Sequence, residues 1–224
     1  MRLWKPALFS TPMVQTILDG HKTMTRRVTR PQPDEDPGRP LAVIGDLLYR
    51  WVAVPARATS PMAPERAGFA VLGNHKPIRC PWPVRTRLWV RETTALVYNG
   101  GGMYCADGAT IPGWTWRYSR DVCPTIHMPR DCARIGLEVT AVRCERVQDI
   151  TEADAVAEGV DAVSVEAVPR QAAWSRRQDF AALWDSLNAK RGYGWAVNPH
   201  VFAYGFKLLS TDAETQRLMT EDAK

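Results

Sequence analysis

The sequence predicts an α+β fold: a small mixed or antiparallel β-barrel flanked by helices and interrupted by long loop insertions. Three observations point to it: a helix readable from its two ends near the N-terminus, several segments alternating apolar and polar residues, and two further helices set between the later strands. With 224 residues, 45% of them hydrophobic, the chain can bury a substantial core and falls within the range of one domain. We expect that domain over residues 1–210, with irregular insertions near 31–44, 55–83 and 99–131 and a polar C-terminal tail over 211–224.

The elements follow in order. Ser10 or Thr11 can cap the first helix, Pro12 suits its first turn, and Met13, Val14, Ile17 and Leu18 form an apolar stripe that Gly20 ends. The next residues, KTMTRRV, read as a turn entering an extended segment. Thr23, Thr25 and Arg27 share one side, and Met24, Arg26 and Val28 the other. Residues 31–40 and 55–83 are too rich in proline for regular structure, so the chain should leave the core there. Between them GDLLYRWVAV has strand character, and TRLWVRET at 86–93 has more, with Leu88 and Val90 opposing Trp89 and Arg91.

Residues 99–131 combine glycine, aromatic and basic residues, as a long functional loop or a loosely packed excursion would. The clearest strand is RIGLEVTAVRCERV, where Ile135, Leu137 and Val139 face inward and Arg134, Glu138 and Arg143 face water. Thr151 with Asp154 opens a short helix that Gly159 ends, and 160–174 form a connection. Ser175 and Gln178 make a capping box for a helix with the stripe Phe180, Leu183, Trp184 and Leu187, closed by Gly192. The last strand alternates Phe202, Tyr204, Phe206 and Leu208, and the residues after it fray or form a terminal helix.

Composition narrows the function. No run approaches the roughly 18 apolar residues of a membrane span, and MRLWKPALFS lacks the features of a signal peptide, so we expect a cytoplasmic protein without membrane partners. Five cysteines without a CxxC pair argue against a disulfide framework, and Cys123, His127 and Cys132 fit no common zinc spacing, so no metal site is expected. The net charge is +5, and residues 1–30 carry Arg2, Lys5, Lys22, Arg26, Arg27 and Arg30 against Asp19 alone. Such a local excess suits a phosphate-bearing partner, although a solvated charged face has the same composition. Glycine-rich phosphate loops and a serine-hydrolase elbow are absent.

Gly20, Lys22, Thr25 and Arg27 spell GxKxxTxR directly after a glycine-terminated helix. With LWVRE at 88–92, IHMPR at 126–130, LWDSLN at 183–188 and NPHVF at 198–202, the chain resembles the ASCH family of the PUA-like superfamily, in particular its larger, often phage-encoded members. Those relatives carry Gly-Asp just before the LWVRE strand, where this chain has Arg85 and Thr86. The resemblance implies a PUA-like barrel with a cleft beside the first helix that holds RNA, DNA or a modified nucleoside. It also implies one of three functions: hydrolysis of the amide of N(4)-acetylcytidine, ribonuclease activity, or noncatalytic RNA binding. No cofactor is implied, apart from a divalent metal such as Mn²⁺ in the ribonuclease case.

Carried onto this chain, the implied catalytic lysine and threonine are Lys22 and Thr25, and the candidate for the glutamate is Glu92. A threonine hydroxyl needs a base to become a nucleophile, and a lysine serves only where burial or nearby cations favour its neutral form. Arg26, Arg27 and Arg91 can supply that pressure, and a glutamate can protonate the leaving nitrogen. Gly20, Arg26, Arg27 and Arg91 are candidate substrate-binding residues, as are Trp114, Trp116, Arg117 and Tyr118 as a stacking group and His127 and Arg130 beside it. The alternative reading gives Lys22 and Arg27 phosphate contacts, Thr25 a backbone hydrogen bond, Glu92 a structural ion pair and the aromatic residues a place in the core.

Overall fold

The computed structural model describes residues 4–33, 41–44, 46–51, 69–70, 78–160 and 175–222. Much of the two proline-rich stretches and nearly all of the expected connection over 160–174 lie outside them. In chain order the elements are β1 (Lys5–Leu8), α1 (Thr11–Leu18), β2 (Met24–Val28), β3 (Leu41–Ile44), β4 (Leu47–Trp51), β5 (Phe69–Ala70), β6 (Ile78–Arg79), β7 (Arg87–Arg91), β8 (Thr94–Leu96), β9 (Gly102–Tyr104), β10 (Val122–Cys123), β11 (Ile135–Arg146), α2 (Glu152–Ala157), α3 (Arg176–Asn188), β12 (His200–Thr211) and α4 (Asp212–Glu221).

A five-stranded mixed sheet, ordered β1-β7-β11-β12-β2, organises the molecule. β1 pairs parallel with β7, and every other neighbouring pair is antiparallel. A second sheet joins β3, β4, β5 and β6, and a third places β8 between β10 and β9. The fold is therefore α+β, as the order of elements predicts. Among the described residues no helix is long and apolar enough to cross a membrane.

Alternation along the strands builds the core. Leu88 and Val90 of β7, Ile135, Leu137 and Val139 of β11, and Phe202, Tyr204 and Phe206 of β12 meet Val14 and Ile17 of α1 in one buried cluster. The opposite face of β7 sends Trp89 against Trp4 and Met219, the last carried by α4, so the polar tail ends as an amphipathic helix docked on the sheet. A third cluster gathers Val147, Ile150, Ala155, Phe180, Leu183, Trp184 and Val201 between α2, α3 and the start of β12.

Four expectations change. The stretch 55–83, expected to lack regular structure and leave the core, carries β5 and β6 and places Cys80 in the main core. Leu208 is 45% exposed because the β11/β12 ladder slips by one residue beside it, between Gly136 and Leu137, and a bulge breaks the alternation that would turn it inward. Leu187 is 50% exposed, at the edge of the α3 stripe. Arg134, expected in water, is buried, because Glu92 at the end of β7 takes its Nε and Nη2 in a paired contact at 3.0 and 2.9 Å.

Ser10 takes the N-cap position of α1 without a side-chain cap hydrogen bond, whereas the later capping signals hold. Thr151 accepts from the Asp154 amide, and Ser175 and Gln178 form the reciprocal box. Tyr104, Ile111 and Met128 of residues 99–131 pack a small cluster with Cys132 just after them. The Tyr104 hydroxyl donates to the Cys132 carbonyl within it.

Candidate functional site

The site begins where α1 stops. Gly20 adopts φ +75°, a conformation that costs glycine little, and the chain turns so that the His21 and Lys22 amides both donate to the Thr16 carbonyl at 2.9 Å. That turn drives Lys22 inward, where it is 2% exposed. β2 follows, tied to α2 by the Thr23 amide donating to the Ala157 carbonyl and to β12 by the ladder from Met24 to Val28.

Inside, Lys22 Nζ donates to the Glu158 carboxylate at 2.9 Å and to the Glu158 carbonyl at 2.7 Å. Arg26 binds three carboxylates: Glu145 of β11, and Asp154 and Glu158 of α2. Arg27 points to the other face of β2, donates to the Leu8 carbonyl at 2.6 Å and lies over the rings of Phe9 and Trp82. Its Nε is buried with no hydrogen-bond partner. Burial pushes the Lys22 ammonium below its ordinary value, and the neighbouring Arg27 and Arg26 add to that, while Glu158 pulls the other way. Burial therefore eases loss of the Lys22 proton, while the carboxylate beside it holds that proton in place.

Over this charged floor opens a cleft of about 430 Å³, within the range of small-ligand sites. Thr25, Arg26, Arg27 and Glu158 line it, with Leu8 from β1, Met13 from α1 and Phe180, Leu183, Trp184 and Leu187 from α3; Arg30, Asn188 and Arg191 complete the lining. Thr25 is 5% exposed, and Lys22 reaches the cleft only through Glu158. The arrangement offers a hydroxyl, a buried amine and a carboxylate beside an apolar wall that carries one tryptophan.

The other sequence candidates lie outside this lining. Glu92 is fully buried and held by Arg134, which Asp107 also binds and whose guanidinium stacks 3.9 Å from the Tyr104 ring. Arg91 donates to the Met128 carbonyl through Nε and Nη2. Trp114 carries Arg117 over one face, Trp116 packs edge-on against Tyr118, and the Tyr118 hydroxyl donates to the His127 carbonyl, so this group is built within its own loop and away from the cleft. Arg130 reaches the Met219 carbonyl. The structure thus brings Lys22, Thr25, Arg26 and Arg27 together and sets Glu92, Arg91, the loop aromatic residues, His127 and Arg130 apart from them.

Glu158 is the residue that the sequence reading passed over. A signal for it exists: an acidic residue at the C-cap of a helix opposes the helix dipole, so a glutamate just before Gly159 calls for a cation to hold it. Lys22 and Arg26 are those cations.

No protein-family model matches the chain, and no curated protein matches it. Among solved structures it is similar to a protein of the DUF984 family from Enterococcus faecalis, at 9% sequence identity and a TM-score of 0.41, with 95% of this chain and 84% of the other covered.

Proposed function

We propose that the cleft is an ASCH-type nucleobase site in a PUA-like fold and that it hydrolyses the amide of an N(4)-acylated cytidine. The observation that carries this reading is the buried Lys22–Glu158 pair at 2.9 Å beneath a cleft into which Thr25 opens. Supporting it, Arg85 takes φ +71° at the position where the resembling family has glycine, so the backbone there keeps a conformation that glycine favours.

Glu158 replaces Glu92 in this proposal, since Glu158 touches Lys22 and Glu92 is committed to Arg134. Transfer of the proton from Lys22 to Glu158 along their hydrogen bond gives the neutral amine that the reaction needs, a step eased by the burial that lowers the lysine's proton affinity. The amine then takes the Thr25 hydroxyl proton as Thr25 Oγ bonds to the acyl carbon. Glu158 protonates the exocyclic nitrogen as the C–N bond breaks, releasing cytidine and leaving an acyl ester on Thr25. Water attacks that ester with its proton passing to the Glu158 carboxylate, the carboxylic acid product departs, and Thr25 recovers a proton from Lys22.

The test is chromatographic detection of cytidine from N(4)-acetylcytidine, run beside labelled RNA with and without Mn²⁺. Turnover by the parent protein that Thr25→Ala abolishes supports the proposal. Cleavage of RNA instead supports a ribonuclease, and no turnover with excess protein leaves a noncatalytic RNA-binding module.

A further inference from the structure

The rim of the cleft carries charge that the hydrolytic reading does not use. Four arginines line the cavity, Arg26, Arg27, Arg30 and Arg191, against one carboxylate, Glu158. Arg26 is neutralised by its three acidic partners. Among the described residues, Arg27, Arg30 and Arg191 form no ion pair. Arg27 spends one donor on the Leu8 carbonyl and keeps Nε unpartnered in a buried position. Arg30 is exposed and rests over the Tyr193 ring at 5.4 Å. Arg191 is exposed in the turn after α3, close enough to Arg27 for the two charges to repel.

A cation suits a helix C-terminus, which accounts for Arg191 taken alone. It does not account for Arg30, which comes from the segment after β2, or for a buried guanidinium donor left unpaired beside both. Glu158 offsets part of the Arg27 charge, but Lys22 and Arg26 already hold that carboxylate, so the arginines share too little acid and an anion seated among them is favoured. Opposite them the wall is apolar, with Met13, Trp184 and the half-exposed Leu187. A cavity of about 430 Å³ has room for a base, a sugar and a phosphate.

We infer that Arg30 and Arg191, with Arg27 behind them, form a phosphate subsite, so that the cleft takes a nucleotide with its base on the α3 wall and its phosphate at the rim. This rests on the nucleobase reading of the cleft. The phosphate is either that of a free mononucleotide or the phosphodiester of a nucleotide within a strand, and both present the same oxygens to the arginines.

Isothermal titration separates these possibilities. The four common ribonucleosides, their 5′-monophosphates, the corresponding dinucleoside monophosphates and inorganic phosphate are titrated into the parent protein and into Arg30→Ala/Arg191→Ala. Both of those side chains are exposed, so a thermal melt should find the variant folded. For whichever nucleoside binds, we expect its phosphorylated form to bind about tenfold more tightly, as charge-assisted hydrogen bonds allow, and the double variant to lose that gain while binding the bare nucleoside unchanged. A gain confined to the monophosphate identifies a free nucleotide, and a larger gain with the dinucleotide identifies a strand. Equal affinity of nucleoside and nucleotide, or a preference that survives the double substitution, overturns the subsite and leaves the base site standing. Binding of inorganic phosphate alone, or of nothing, overturns the nucleobase reading and the nucleotide subsite with it.

Discussion

Glu158→Gln is the most informative perturbation of the cleft floor. The Lys22 side chain is fully buried and Glu158 is 5% exposed, so neither charge has water to fall back on. Arg26 keeps Glu145 and Asp154 in the variant, whereas Lys22 loses the carboxylate it is paired with. Removing one partner of a buried pair costs about 3–5 kcal/mol, and the glutamine oxygen that still accepts a hydrogen bond brings the expectation to about 3 kcal/mol.

Lys22 has an escape, deprotonation, and it sets a pH dependence. Its proton affinity is already lowered in the fold from the ordinary 10.5, so the unfolded chain binds more protons in the window below that value and stability rises with pH there. Losing Glu158 lowers the affinity further and widens the window. The variant should therefore regain part of its deficit between about pH 7 and about pH 9.5. Urea denaturation at both pH values measures this through the midpoint at unchanged slope, and thermal melts should show a fall of about 6–12 °C near neutrality for a chain of this size. A variant within about 0.5 kcal/mol of the parent at both pH values would refute the claim that this pair is buried and mutually dependent.

Three further expectations test neighbouring parts of the argument. If Lys22 supplies the base, the pH–rate profile of amide hydrolysis rises along a limb whose midpoint lies below 10.5, and Lys22→Arg, which keeps its proton, removes turnover. Gly159→Ala meets a positive φ of +84° and places a Cβ 3.0 Å from Thr16 Oγ1 and 3.2 Å from Lys22 Cβ; it should cost about 1–3 kcal/mol in a thermal melt and reduce activity by more than that loss of folded protein explains. Trp184→Ala should cost about 3–5 kcal/mol by emptying a buried position, whereas Leu187→Ala should stay within about 0.5 kcal/mol. Both substitutions should weaken ligand binding in titration, because both side chains line the cleft.

Where local chemistry decides, the sequence was legible. Gly20, Thr151 and the Ser175–Gln178 box mark helix ends through single backbone requirements, and Leu88, Val90, Ile135, Leu137 and Val139 declare a buried face by period alone. Pairings across long stretches of chain were not. Arg134 reads as a solvent residue until Glu92, 42 positions earlier, is found against it, and Lys22 meets Glu158 136 positions later. Glu92 and Glu158 look alike in sequence, and only the sheet order shows which one the cleft receives. Leu208 misleads for a related reason, since one extra residue in a ladder is invisible to a strict period of two.

The helix that delivers Glu158 is only six residues long. Helical nucleation is too costly for a segment of that length to persist alone in water, so α2 owes its shape to what grips it. The grip is Arg26, bridging from β2 to Asp154 and Glu158, with Arg143 of β11 adding a second hold on Asp154. Its amides should therefore resist solvent exchange as a group with those of β2, and fraying from the helix end is not their way of opening. The carboxylate of the cleft thus exists only while the sheet edge beside it is closed. Any ligand that braces β2 also holds that carboxylate in place, without touching it.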